Sequence, residues 1–449
     1  MARFHYVSLA QLLVSVTGAL AGLTVDVDDA DSVKKAATLV AEDLMSFYKG
    51  EIPGLLPGPP PDGDYPPWTG GALWASMLDY RSRTGDTQYD EKISEGLLWQ
   101  RGPNDDFLAP NWTASEGNDD QALWAMAALL AAETGFTEPK DANTTWAALA
   151  QNVFDEQSNE SRRVSKGACS GALRWAIYPT NDGYDYVTTS ANVAYANLGA
   201  RLSVLDGNNQ TQATSVQNTF DFLETSKFID SKFNVYTGAS VPDCDDINKL
   251  QISSDPALAV ESAAVMYNST GGDEKWKTLV DGLTARIIDV FFPDGVATEV
   301  ACEPTNCNTY MTFYKSILHR SLASTMKAAP YTTNLILPVL KTSAAAAAKS
   351  CTAGDNKRMC VFDWTNGSDN LTGAGSQMSV LSALLSLLPT EKAVDSPSSG
   401  AGGNGTSNST TPTGSSSEPS ETPGSSGAHA GVSAAVLLGG MALASLWLV

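Results

Sequence analysis

Positive charge is scarce in this chain. Its 449 residues carry 28 Lys and Arg against 50 Asp and Glu, a formal net charge of −22. Nucleic-acid binding draws its affinity from basic side chains that displace counterions from phosphates, so that class of partner is excluded. The same acidity suits an acidic medium, where carboxylates lose charge and their mutual repulsion falls. Histidine is nearly absent, with three in all, and no two cysteines stand in a CxxC arrangement. Zinc centres are built from such groups, so no metal site is expected, and no motif calls for a cofactor.

Basic residues are also missing after the final apolar run, "VSAAVLLGGMALASLWLV". A spanning helix with a cytoplasmic end normally carries Lys or Arg there. The small residues Gly424, Ser425 and Ser426, a short spacer and an apolar tail instead form the pattern of a GPI-anchor signal, with 427–449 removed. Residues 393–426 are a Ser/Thr/Gly/Pro tract too poor in apolar side chains to fold, resembling an O-glycosylated stalk. At the other end, Arg3, an apolar run from Val7 to Leu20 and the small-residue site Ala19-Leu20-Ala21 mark residues 1–21 as a secretory signal. The chain is thereby expected on the outer face of the plasma membrane or in the wall outside it, held through a lipid. Nine Asn-X-Ser/Thr sequons, from Asn111 to Asn408, fit that setting. Six cysteines in an oxidising compartment suggest three bridges. Nearness in sequence favours Cys302 with Cys307 and Cys351 with Cys360, leaving Cys169 for Cys244.

Residues 22–392 contain no linker of their own and few strand-like stretches, "FNVYTGASV" among them. Apolar residues recur instead at three- and four-residue intervals. "DSVKKAATLVAEDLMSFYKG" is one such segment, expected to be capped by Asp31 or Ser32 and ended by Gly50. About twelve helices follow one another through short turns. The expected architecture is all-α: six helical hairpins closed into an (α/α)6 toroid, whose inner helices bury both flanks and so lack a polar face.

"EGNDDQALWAMAALLAAE" reads as one of those inner helices, and it begins with two aspartates. Capping is one explanation, with Asn118 as N-cap and Asp119 and Asp120 in a first turn favoured by the helix dipole. The other is chemistry. Glycoside hydrolysis needs two carboxyl groups flanking the scissile bond, one to protonate the leaving oxygen and one to attack or to activate water. Side chains at i and i+1 do not face each other, yet from a first turn they can reach either side of a sugar lying across the helix mouth. Aromatic walls are available in loops at Tyr65, Trp68, Trp112, Trp175, Tyr184 and Tyr186.

"GNDDQALWAMAALLAAE", "CSGALRWAI", "NDGYDY", "SANVAYANLGARL", "AAVMYNST" and "ACEPTNCNTYMTFYKSILHRSLA" together resemble the fungal GPI-anchored mannan endo-1,6-α-mannosidases, cell-wall members of glycoside hydrolase family 76. The resemblance runs from about Asp31 to Leu388. It implies an (α/α)6 barrel and retaining action on α-1,6-linked mannose, in mannan or in a GPI glycan. It also implies Asp119 as nucleophile, Asp120 as general acid/base and wall glucan as a possible acceptor. Trp68, Asn118, Trp175, Tyr184, Asp185, Asn192 and Lys315 are the expected sugar-binding residues, and Arg320 is also in register.

The chain departs from the family pattern in four places. It has Pro67, Trp68 and Thr69 where the family has two tryptophans and an acidic or amide residue. Val187 and Thr188 replace Lys-Asn after "GYDY", and Tyr310 and Met311 replace Asp-Gln after "CNT". The "YN-x-G" turn appears as Ser254, Asp255, Pro256 and Ala257. Losing those polar groups motivates an alternative, a non-catalytic glycan-binding wall protein on the same scaffold. A purely structural wall mannoprotein is a third reading, and it gives no reason for the aspartate pair.

Overall fold

The computed structural model describes residues 23–58, 65–110, 116–140, 143–366 and 371–390. The expected secretory signal, stalk and anchor tail lie outside the described residues, as does Trp112. The described residues form twelve α-helices. In chain order the first six are α1 (Ala30–Met45), α2 (Trp68–Thr84), α3 (Asp90–Gln100), α4 (Asn118–Glu133), α5 (Trp146–Ser158) and α6 (Thr189–Leu205). Then come α7 (Gln210–Thr225), α8 (Ser254–Ser269), α9 (Glu274–Phe291), α10 (Tyr314–Ala328), α11 (Thr333–Lys349) and α12 (Ala374–Leu385).

Two kinds of helix alternate. Helix α1 buries Val33, Ala36, Ala37, Val40, Ala41 and Leu44, a single stripe at three- and four-residue spacing, and leaves its other side to solvent. Helix α12 buries all of its 12 residues. The even-numbered helices are of this second kind. They pack α2 on α4, α4 on α6, α6 on α8, α8 on α10, α10 on α12 and α12 back on α2, which closes a ring. The odd-numbered helices lean on its outside, α5 on α4, α7 on α6 and α9 on α8. This is the expected toroid. Where α12 meets the turn before α10, Gly375 is required for the approach. A Cβ there would stand 2.0 Å from Thr312 Oγ1 and 2.8 Å from the Phe313 ring.

Local boundaries differ from expectation in two places. Helix α1 is capped by Asp29, whose carboxylate accepts the Asp31 N–H at 3.2 Å, and it ends at Met45 rather than Gly50. Beyond Met45 the chain turns so that the Tyr48 hydroxyl accepts the Gly54 N–H at 3.1 Å. The N-cap of α4 is Gly117, not Asn118. The Asn118 N–H is taken by Trp175 O at 2.8 Å, which draws that residue into the helix and its side chain inward.

Among the described residues extended structure is confined to short pieces: β1 (Tyr186–Thr188), β2 (Gly238–Ser240), β3 (Ile247–Asn248), β4 (Cys351–Ala353) and β5 (Met359–Cys360). The first three form an antiparallel sheet in the order β1-β2-β3, with Val187 opposite Ala239. Of "FNVYTGASV", only Gly238–Ser240 is a strand, with Val235 bridging to Ile229. The disulfides are Cys169–Cys244, Cys302–Cys307 and Cys351–Cys360, as expected. No helix among the described residues is long and apolar enough to cross a membrane.

Candidate active site

Because every second helix belongs to the ring, the inner helices run in one direction and their N-termini collect at one mouth. Asp119 and Asp120 stand there at the head of α4, Ser190 at α6, Asp255 at α8 and Tyr314 at α10. Six positive helix ends converge on this mouth, and negative charge is favoured near each.

The two aspartates have different surroundings. Asp119 Oδ2 accepts the Ser190 hydroxyl at 2.5 Å, and its Oδ1 accepts the Asp120 backbone N–H at 3.1 Å. The Trp175 indole N–H is a further hydrogen-bond partner. Burial raises the Asp119 carboxyl, while these donors pull it back toward ionisation. Among the described residues Asp120 has one donor, the Gly117 N–H, at 2.9 Å from Oδ2. Burial, and after it the adjacent charge of Asp119, hold Asp120 well above the usual carboxylate range. Neighbouring carboxyls whose acidities are pushed apart are the arrangement that acid and nucleophile roles require. Gly117 makes room for them, since a Cβ there would stand 2.5 Å from Asp119 Oδ1 and 3.0 Å from Trp175 Nε1.

More acid groups surround the pair. Glu116 is buried with Oε2 unpartnered, and burial followed by the charge of Asp120 raises it well above its ordinary value. Asp255 is buried with Oδ1 unpartnered, and burial followed by Asp119 raises it likewise. Glu299 accepts the Ser253 hydroxyl at 2.5 Å and is pushed up by burial to about 7. The Tyr314 phenol is raised by burial and then by Glu299, Asp255, Asp119 and Asp120. None of these four was singled out as a site residue from sequence. A signal existed: Ser190, Asp255 and Tyr314 all begin alternate helices, the positions that share a mouth once the ring is known.

The expected sugar-binding residues separate into two groups. Trp68 begins α2 at the mouth, its ring edge-on to Phe313 at 5.3 Å. Trp175 is 37% exposed beside Asp119 and packs against Gly183, where a Cβ would fall 2.2 Å from the indole. Arg174 lies 4.3 Å above the Tyr184 ring and 3.7 Å from Asp185, so these two belong to the same loop cluster. Asn118, Asn192 and Lys315 are sealed inside instead. Asn118 donates to Arg174 O at 2.9 Å and accepts from Arg162 at 2.8 Å. Asn192 clamps both backbone groups of Leu173, each at 3.0 Å. Lys315 pairs with Glu303 at 2.6 Å and donates to Phe362 O at 2.9 Å, between the Phe362 and Trp364 rings. The polar atoms of these three side chains are thus engaged by other groups of the protein behind the mouth.

One of the departures also has a structural explanation. Val187 is buried in β1, and Thr188 caps α6, accepting the Ala191 N–H at 3.2 Å. A cavity of about 710 Å3 opens at the opposite end of the ring, among Asp79, Arg83, Glu133, Arg201, Glu261 and Arg320. It contains neither aspartate of the pair.

Comparison with known proteins agrees with this architecture. The chain is 36% identical over 374 residues to the mannan endo-1,6-alpha-mannosidase DCW1 of Saccharomyces cerevisiae, covering 82% of this chain and 81% of the relative. It is 35% identical over 387 residues to a putative mannan endo-1,6-alpha-mannosidase of Schizosaccharomyces pombe, covering 84% and 85%. Among solved structures, Dfg5 from Chaetomium thermophilum in complex with glucosamine superposes with a TM-score of 0.78 at 42% identity, over 82% of this chain and 94% of that one. An inactive variant of the α-1,6-mannanase GH76A of Salegentibacter sp. HEL1_6, with two consecutive aspartates changed to asparagine and bound to α-1,6-mannotriose, shares the fold. Its TM-score is 0.64 at 13% identity, over 79% of this chain and 98% of that one. The model of glycosyl hydrolase family 76 matches residues 32–399, and with relatives this similar over most of their length the chain belongs to that family.

Proposed function

We propose that the protein is a wall-associated glycosidase or transglycosidase that cuts α-1,6-linked mannose, in mannan or in a GPI glycan, with retention of configuration. Asp119 is the nucleophile and Asp120 the general acid/base. The observation that carries the assignment is the asymmetry between the two carboxyls: several donors, Ser190 and Trp175 among them, aid ionisation of Asp119, whereas Asp120 sits beside its neighbour's charge.

The chemistry follows from that difference. An Asp119 oxygen attacks the anomeric carbon while the Asp120 proton passes to the departing glycosidic oxygen, leaving a mannosyl ester on Asp119. Asp120, now a carboxylate, takes a proton from water or from an acceptor hydroxyl, whose oxygen attacks the same carbon and frees Asp119. Two inversions give net retention. Carboxyls about 5 Å apart suit this route, and consecutive first-turn residues reach roughly that far apart across a sugar. Trp68, Trp175 and Tyr184 supply aromatic surface for the sugar faces. The names of the yeast relatives support the α-1,6-mannose linkage. The signal, stalk and tail patterns support anchoring through a GPI lipid.

The test is incubation of the protein with an α-1,6-mannooligosaccharide, with and without a glucan acceptor, and mass spectrometry of the products. Asp120→Asn lowers kcat by about 10²- to 10⁴-fold, and Asp119→Asn at least as far, with both variants folded. Mass spectrometry of a trapped intermediate places mannose on Asp119. Saturable glycan binding without any product favours the non-catalytic alternative, and activity that survives both substitutions rejects the assignment.

A further inference from the structure

The reaction above uses two carboxyl groups, yet the mouth holds others to which it gives no task, Asp255 among them. Asp255 lies in the first turn of α8, which in the ring stands between α6, bearing Ser190, and α10, bearing Tyr314. Only 1% of Asp255 is exposed, and its Oδ1 has no hydrogen-bond partner among the described residues. A buried polar oxygen left alone is destabilising, because its lost hydration is not replaced. Acids in first turns ordinarily avoid that cost by accepting N–H groups of their own helix or by pairing with a cation. Among the described residues the Asp255 carboxyl has the Ser254 hydroxyl as a hydrogen-bond partner but no cation, and its charged neighbours are Asp119 and Glu299, both acids.

We propose that Asp255 is a third substrate-touching group, its Oδ1 hydrogen-bonding a hydroxyl of the sugar seated over Asp119; this rests on the glycosidase reading. Burial and the neighbouring acids favour the protonated carboxyl, which offers a donor as well as an acceptor. A sugar hydroxyl also donates and accepts, and it satisfies the orphaned oxygen when it displaces water from the mouth. The cost of the lone oxygen is then relieved by substrate, which makes the group a source of affinity and orientation.

Steady-state kinetics of the full chain on an α-1,6-mannooligosaccharide test this, with melting temperature recorded for each variant. Asp255→Ser and Asp255→Ala remove the reach of the carboxyl, and both are made so that one folded variant suffices. Each is expected to lose about tenfold or more in kcat/KM, most of it as raised KM, with no matching fall in melting temperature. Asp255→Asn restores a donor and an acceptor at the same reach, and recovers kcat/KM to at least about a third of the parent value. Truncated variants with the parent's kcat/KM overturn the proposal, as does an Asn variant no better than Ser. A parent chain that neither binds nor cleaves the oligosaccharide removes the glycosidase reading itself, and the proposal falls with it.

Discussion

Ser190 shows how one side chain decides the chemistry of another. Its hydroxyl donates to Asp119 Oδ2 at 2.5 Å and favours the ionised form of the proposed nucleophile. Removing that donor in Ser190→Ala raises the pKa of Asp119, so the acid limb of the kcat/KM profile moves to higher pH. At its optimum the variant loses about tenfold. An acid limb that stays in place shows that Ser190 does not tune the nucleophile. In the parent the profile is a bell: activity rises as Asp119 ionises and declines as pH climbs through the raised value of Asp120. Sequence alone located the aspartate pair, because adjacent acids before an apolar helix are conspicuous. It could not separate Trp175 beside Asp119 from Lys315 locked to Glu303, since both stood in matching motifs.

At the scale of elements, hydrophobic spacing predicted the helices well and their ends less well. Stripes such as that of α1 and the all-round apolarity of α4 follow from which flanks each helix buries. Ends answer to hydrogen bonds from elsewhere, as where Trp175 O claims the Asn118 N–H and moves the cap to Gly117. Thr188 is the opposite case, a departure from the family pattern that acts as a local cap of α6. Thr188→Ala lowers unfolding free energy by about 1 kcal/mol in denaturant titration. Gly375→Ala is costlier, about 1–3 kcal/mol, because its Cβ must displace Thr312 and Phe313 at the α12–α10 junction. A neutral Gly375→Ala variant contradicts the close approach described here.

For the whole molecule, buried carboxyls make acidity part of stability. A carboxyl raised on folding keeps its proton where the unfolded chain has lost it. For Glu299 that contribution is complete below about pH 4.5 and declines as pH rises to about 7. Glu116, Asp120 and Asp255, all raised, act in the same sense. His319 opposes them: burial lowers it to about 4, so folding gains as pH rises from there to 6.5. Three acids beyond Glu299, with the repulsion within a chain of net charge −22, outweigh that one residue. The melting temperature is therefore expected to be higher near pH 5 than near pH 8, and the reverse order in thermal scans overturns the inference.

What the chain by itself determined is local: the period of each helix, the apolar character of the inner ones, the even cysteine count and the aspartate pair. These depend on side chains within a few positions of one another, so linear order suffices to read them. Only closure of the ring decided which helix heads meet. Ser190, Asp255 and Tyr314 lie far apart in sequence from Asp119, and packing of alternate helices brings them around it. Burial at that meeting point raises the proton affinities of Asp255 and Tyr314, because desolvation and Coulomb interaction depend on distance in space, whatever the separation along the chain.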